Sequence, residues 1–218
     1  MSKNYKSKIH NLVKEISLEG LDLNFGTKFY DQVINNPEFK IQKIAEWELR
    51  DDRKFQGTKK PKATYIADDS LQIDDYKDTV VYFFVVEKSC LYIGQTSTSI
   101  NQRMAAYASA GRTQTDDGKF IPSGDNRGGA TNKKINSKVT AFKLANSNDT
   151  IKIYSAFYKV PESIQLLPDK GQGILSGEFN IVISPTKVEK YYIELFKSIE
   201  GSLPKWQSNI DDSIYRPN

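Results

Sequence analysis

The chain has 218 residues, 38% of them hydrophobic and 27% charged, with a net charge of +4 and a pI near 8.9. This is enough for one domain carrying an extension, too apolar for a disordered chain, and a mild bias toward polyanionic partners. The longest apolar run, Val80 to Val86, is far below the roughly 20 residues that cross a bilayer, and single copies of Cys90 and His10 exclude an intramolecular disulfide, a cysteine-based zinc cluster and a paired-histidine metal site.

In chain order, Ile9, Leu12, Val13 and Ile16 fall at the spacing of one helix face. A second, short helix is predicted from Thr27 to about Asn35. A third runs from Pro37, a favourable first helical residue, through Ile41, Ile44, Ala45 and Leu49. From Phe55 to Asp78, Gly57, Pro61 and the lysines at 59, 60 and 62 read as a linker. The pattern then changes. VVYFFVV at 80–86, a turn at EKS, and CLYIG at 90–94 predict a β-hairpin, because β-branched and aromatic side chains suit a pleated, buried surface.

Thr98 or Ser99 caps a helix with Ile100, Met104, Tyr107 and Ala108 on one side, stopping near Gly111. A polar loop spans about Arg112 to Gly129. A helix from Thr131 then turns Ile135, Val139 and Phe142 inward, and IKIYSAFYKV at 151–160 reads as a third strand. Residues 161–183 hold GQG and a strand-like FNIVI. After them, Ser184 and Pro185 open a helix whose stripe is Val188, Tyr192, Leu195 and Ile199, ended by Gly201.

Charge is concentrated between Arg103 and Lys143, where eight basic residues face three acidic ones. Within that framework Tyr82 and Tyr92 lie on adjacent strands about 5 Å apart, and Arg103 and Tyr107 are one turn apart on the following helix. An arginine there can fork onto a phosphate, and Glu189, early in the last helix, can hold a divalent cation through oxygen. Taken singly, each has an ordinary explanation as strand packing, a helix pair or a first-turn carboxylate.

Taken in order, VVY, YIGQTS, the R-x-x-x-Y helix, an asparagine-bearing helix and a late helical glutamate resemble the GIY-YIG nuclease family over about residues 79 to 200, with its type II restriction endonucleases nearest in pattern. Val80 and Val81 stand where the family name has Gly-Ile, so only Tyr82 of the first triplet matches. The resemblance implies an α+β fold, a small mixed or antiparallel three-stranded sheet flanked by helices, at 79–218, with insertions at about 112–129 and 161–183. Residues 1–78 are then an N-terminal helical extension and linker.

The resemblance further implies Tyr82 as the group that orients or deprotonates the attacking water, Arg103 on the nonbridging oxygens, and Tyr92 and Tyr107 bonded to water or phosphate. Glu189 would hold one Mg²⁺, or Mn²⁺, at the leaving 3′ oxygen, and is preferred to Glu194, which sits nearer mid-helix. Asn132, Lys133, Lys134, Arg112 and Arg127 are candidates for substrate contact. The expected partner is double-stranded DNA, the expected enzyme a cytoplasmic homodimer. A homing or repair nuclease of the family, a non-catalytic DNA-binding protein of the same fold, and an RNA-processing nuclease are the competing readings.

Overall fold

The structure is a computed structural model that describes residues 23–55, 58–65, 79–110, 112–114, 120–122, 129–146, 148–157 and 185–207. The predicted helix at Ile9–Ile16, the segment 161–183 and most of the 112–129 loop lie outside the described residues. A helical turn, Thr27–Phe29, widens into a π-helical turn, Tyr30–Ile34, together α1. A single 3₁₀ turn, Pro37–Phe39, follows. The remaining elements are β1 (Ile41–Phe55), β2 (Thr58–Tyr65), β3 (Thr79–Val86), β4 (Ser89–Gln95), α2 (Ile100–Ser109), β5 (Arg112–Gln114), β6 (Phe120–Pro122), α3 (Ala130–Ala145), β7 (Ile151–Phe157) and α4 (Pro185–Glu200).

Among the described residues, five strands form one sheet in the order β2-β1-β7-β3-β4, with every neighbouring pair antiparallel. This corrects the three-stranded expectation: β3, β4 and β7 are joined by β1 and β2. The helix expected over Pro37–Leu49 is instead one 3₁₀ turn and the first half of β1. The expected linker contains β2, and part of the 112–129 loop is a small separate hairpin, β5 with β6.

Helices cover both faces of the sheet, which is why β3 reads as an unbroken apolar run. Alternation along β3 sends Tyr82, Phe84 and Val86 to one side and Val81, Phe83 and Val85 to the other. On the first side they meet Met104 and Tyr107 of α2 and Ile135, Val139 and Phe142 of α3. On the second they meet Phe29 and Val33 of α1 and Tyr192 and Phe196 of α4. The buried stripe of α4 therefore includes Phe196, with Val188, Leu195 and Ile199 only partly buried beside it. Glu200 ties the two helices of that side together, its carboxylate accepting from the Phe29 backbone N–H at 2.7 Å.

The outer edge of β4 is covered by the chain that follows α4. Gly201, at φ +80, turns the chain out of the helix. Trp206 then donates its backbone N–H to Leu91 O at 2.8 Å, and Gln207 Oε1 accepts from Ile93 N at 2.9 Å. The Trp206 ring packs on Phe84 and Phe142, and its carbonyl accepts from the buried ammonium of Lys138 at 3.0 Å. A β4 that would otherwise expose a row of unpaired backbone groups is closed in this way.

Candidate active site

Tyr82 and Gly94 are register partners across the β3–β4 ladder. The Tyr82 ring lies so close over Gly94 that a Cβ built there would sit 2.5 Å from Tyr82 Cζ and from its hydroxyl oxygen. Only a residue without a side chain leaves room for the phenol, which gives the glycine of the YIG triplet a steric function in this fold. An irregularity in the ladder between Phe84 and Val85 lets Leu91 and Tyr92 both join the core on Tyr82's side. Tyr92 consequently arrives beside Tyr82, ring centroids 6.3 Å apart.

Helix α2 supplies the other half. Ser99 caps it, Oγ accepting from Gln102 N at 3.3 Å, and the i, i+4 spacing brings Arg103 and Tyr107 to the face that meets the sheet. The hydroxyls of Tyr82 and Tyr107 are 2.5 Å apart, and those of Tyr92 and Tyr107 3.4 Å. Arg103 Nε donates to the Tyr82 hydroxyl at 3.2 Å, while its guanidinium carbon stands 4.8 Å from the Tyr107 ring centroid. Four of the five residues singled out in the sequence thus form one hydrogen-bonded cluster.

The electrostatics of the cluster differ from what a ready-made phenolate needs. Burial, followed by the neighbouring phenols Tyr107 and Tyr92, pushes the Tyr82 hydroxyl well above its ordinary pKa, and the Arg103 charge opposes this without reversing it. Tyr92 is raised in the same way, first by burial, then by Tyr107 and then by the charge of Glu189. Arg103 loses solvation on partial burial, yet the phenol oxygens of Tyr82 and Tyr107 hold it more firmly protonated than usual. At neutral pH Tyr82 and Tyr92 are neutral phenols beside the Arg103 cation. Tyr82 O is the shared acceptor when Tyr107 donates to it.

Glu189, the fifth residue, stands on the first turn and a half of α4 and is half-buried, whereas Glu194 is exposed. Its charge raises the Tyr92 pKa, while the buried stripe of the helix that carries it packs on the other face of the sheet from the three tyrosines. Among the described residues no group of three His, Cys, Asp or Glu side chains is gathered. A single carboxylate fits Mg²⁺, which commonly keeps several waters and takes its remaining oxygens from a substrate phosphate.

The candidate substrate contacts are less uniform. Asn132 and Lys134 are half-buried on α3, and Lys133 is only 7% exposed. Arg112 contributes backbone to β5, its side chain lying outside the described residues, as does the whole of Arg127.

The asparagine that engages the cluster is one the sequence did not single out. Asn136, fully buried on α3, donates from Nδ2 to the carbonyl oxygens of Tyr107 at 2.8 Å and Ala108 at 3.3 Å. These belong to the last turn of α2, where the usual i+4 partners are missing and Tyr107 O is met otherwise by the Ala110 N–H at 3.2 Å. Asn136 therefore fixes the end of the helix that carries Arg103 and Tyr107. A polar residue on the inward stripe with Ile135 and Val139 was the available signal.

No protein-family model matches the chain, and no curated protein matches it. Among solved structures, a restriction endonuclease, HPY188I, in complex with product DNA is similar over 83% of this chain and 89% of that one, at 14% identity and a TM-score of 0.36. Among the described residues no helix is long and apolar enough to cross a membrane.

Proposed function

We propose that this chain is a DNA endonuclease, a metal-dependent phosphodiesterase on the GIY-YIG plan. Within that class it is a type II restriction enzyme, cutting both strands of a short duplex site as a homodimer whose two-fold axis matches that of the site. The observation that carries the reading is the meeting of three tyrosine hydroxyls and a guanidinium at one point.

Arg103 is the group that meets the scissile phosphate, since its planar fork matches nonbridging oxygens and it is the charged member of the cluster. In the free protein it covers Tyr82. Transfer of the guanidinium onto a phosphate uncovers the Tyr82 oxygen, which then accepts a hydrogen bond from the attacking water and orients it, while Tyr107, held in turn by Tyr92, donates to Tyr82. As the water oxygen bonds to phosphorus the P–O3′ bond breaks, the water's proton leaves to solvent and the 3′ oxygen takes one up from solvent. Ionising Tyr82 fully at pH 7 requires about 4 kcal/mol relative to a free tyrosine, and burial adds to this. Orientation of the water by hydrogen bonding requires less. Glu189 would hold Mg²⁺, which when bound stabilises charge on the leaving 3′ oxygen. Asn132, Lys134, Arg112 and Arg127 are proposed contacts to the DNA backbone.

Digestion of phage DNA with Mg²⁺ tests the reading: discrete fragments are expected from the wild type, and intact DNA with an undiminished gel shift from Glu189→Gln. A smear would mean a nonspecific nuclease. Uncut DNA with every divalent cation, but a persistent shift, would mean a DNA-binding protein that does not cut.

A further inference from the structure

We infer that the outer part of the β1–β2 hairpin is a DNA-binding arm that enters the major groove next to the cleavage site, an inference that rests on the endonuclease reading. β1 pairs with β7 only from Ile41 to Trp47, whereas its pairing with β2 continues through Arg50↔Lys60 and closes at Phe55↔Thr58. From Glu48 onward the hairpin is thus a two-stranded ribbon without a third strand among the described residues. The register breaks between Arg50 and Phe55, and β2 supplies only Thr58 to Lys62, so at the ordinary strand rise the ribbon reaches on the order of 13 Å. Its base is pinned by Thr64, whose hydroxyl donates to Glu48 at 2.6 Å. β2 runs against α2 and α3, so the ribbon leaves the sheet beside the helix that carries Arg103.

Two features of the ribbon point to a polyanion. Residues 48–62 hold six basic residues against three acidic, and β2 itself has Lys59, Lys60 and Lys62 with no acid. Arg50 and Lys60 are also register partners, so basic residues stand on both strands of the ribbon at one rung. β2 carries lysine at three of its first five positions, which gives a phosphate-rich partner a cationic strand to lie against. B-form DNA admits a two-stranded ribbon in its major groove, whereas the deep, narrow major groove of duplex RNA does not.

The test is a Lys59→Gln, Lys60→Gln, Lys62→Gln triple variant, with binding to a labelled duplex followed by anisotropy in EDTA across a salt series. Affinity is expected to fall at least tenfold, and the slope of log affinity against log salt to shrink by about two to three, as for loss of three phosphate contacts. A duplex RNA of the same length should bind more weakly and be indifferent to the substitutions. Unchanged affinity and slope, with a wild type that cuts DNA, overturns the arm and leaves the endonuclease standing. A wild type that neither binds nor cuts DNA overturns the endonuclease and the arm with it. Should the triple variant fold poorly, Thr58→Cys bearing a photocrosslinker is the alternative, because Cys90, the chain's one native thiol, is buried. Adducts to bases in the major groove are expected, and their absence refutes the arm.

Discussion

The ring of Tyr82 rests on the backbone of Gly94, its cross-strand partner, with no space for a methyl group between them. Gly94→Ala is therefore expected to push the phenol off its partners Tyr107 and Arg103. Cleavage should fall at least a hundredfold, with a loss of about 1 to 3 kcal/mol in stability from overpacking. Steady-state cleavage and urea unfolding measure the two. A fully active Gly94→Ala would show that the position of Tyr82 does not matter to the chemistry.

Alkaline pH should destabilise the protein. Tyr82 and Tyr92 are held neutral in the folded chain, first by burial, while the same residues ionise near pH 10 once unfolded. Between those values the unfolded state binds fewer protons than the native state, so stability is intact below about pH 10 and declines as pH rises beyond it. Phenolate absorbance followed during titration should show these tyrosines silent until cooperative unfolding. Gradual, reversible ionisation of all tyrosines near pH 10 would contradict the buried cluster.

Asn136→Leu removes both donors to the end of α2 and leaves the Tyr107 and Ala108 carbonyls less well satisfied. A cost of about 1 to 3 kcal/mol is expected. Because Arg103 and Tyr107 are displaced with the helix, kcat should drop at least tenfold while KM changes less than threefold. A lowered Tm with unaltered kcat would make Asn136 a packing residue and nothing more.

Trp206→Ala should cost about 3 to 5 kcal/mol, as for truncation of a buried large aromatic. Ending the chain before Lys205 removes the backbone bond to Leu91 as well and bares the edge of β4. Self-association of that truncated protein, seen by light scattering, is the expected consequence. A monodisperse, stable truncation would show that the edge needs no cover.

Much of the hairpin and of the cluster was legible because apolar residues in β3 and the i, i+4 pair in α2 follow simple periods. β1 was not. Ile44 is the extra residue where the β1–β7 register shifts between Lys43 and Ala45, so Ile44 and Ala45 are buried in succession. That break in alternation, with Ile41 and Leu49 around it, imitates a helical face. β2 reads as a linker because lysines and Pro61 oppose a central strand; at the edge of a sheet both are tolerated. Gly94 and Asn136 act through distances between elements, which one-dimensional spacing does not contain. The neutrality of Tyr82 also depends on three-dimensional burial.

The middle strand of the sheet, β7, is made late. The β1–β2 and β3–β4 hairpins have no common neighbour until residue 157 has left the ribosome, and Glu189 emerges later still. Joining them closes long loops, which slows folding. The sheet that backs the tyrosine cluster is therefore completed from distant parts of the chain, whereas the cluster itself is drawn from the contiguous stretch of β3, β4 and α2, and Glu189 joins from an element made after all five strands.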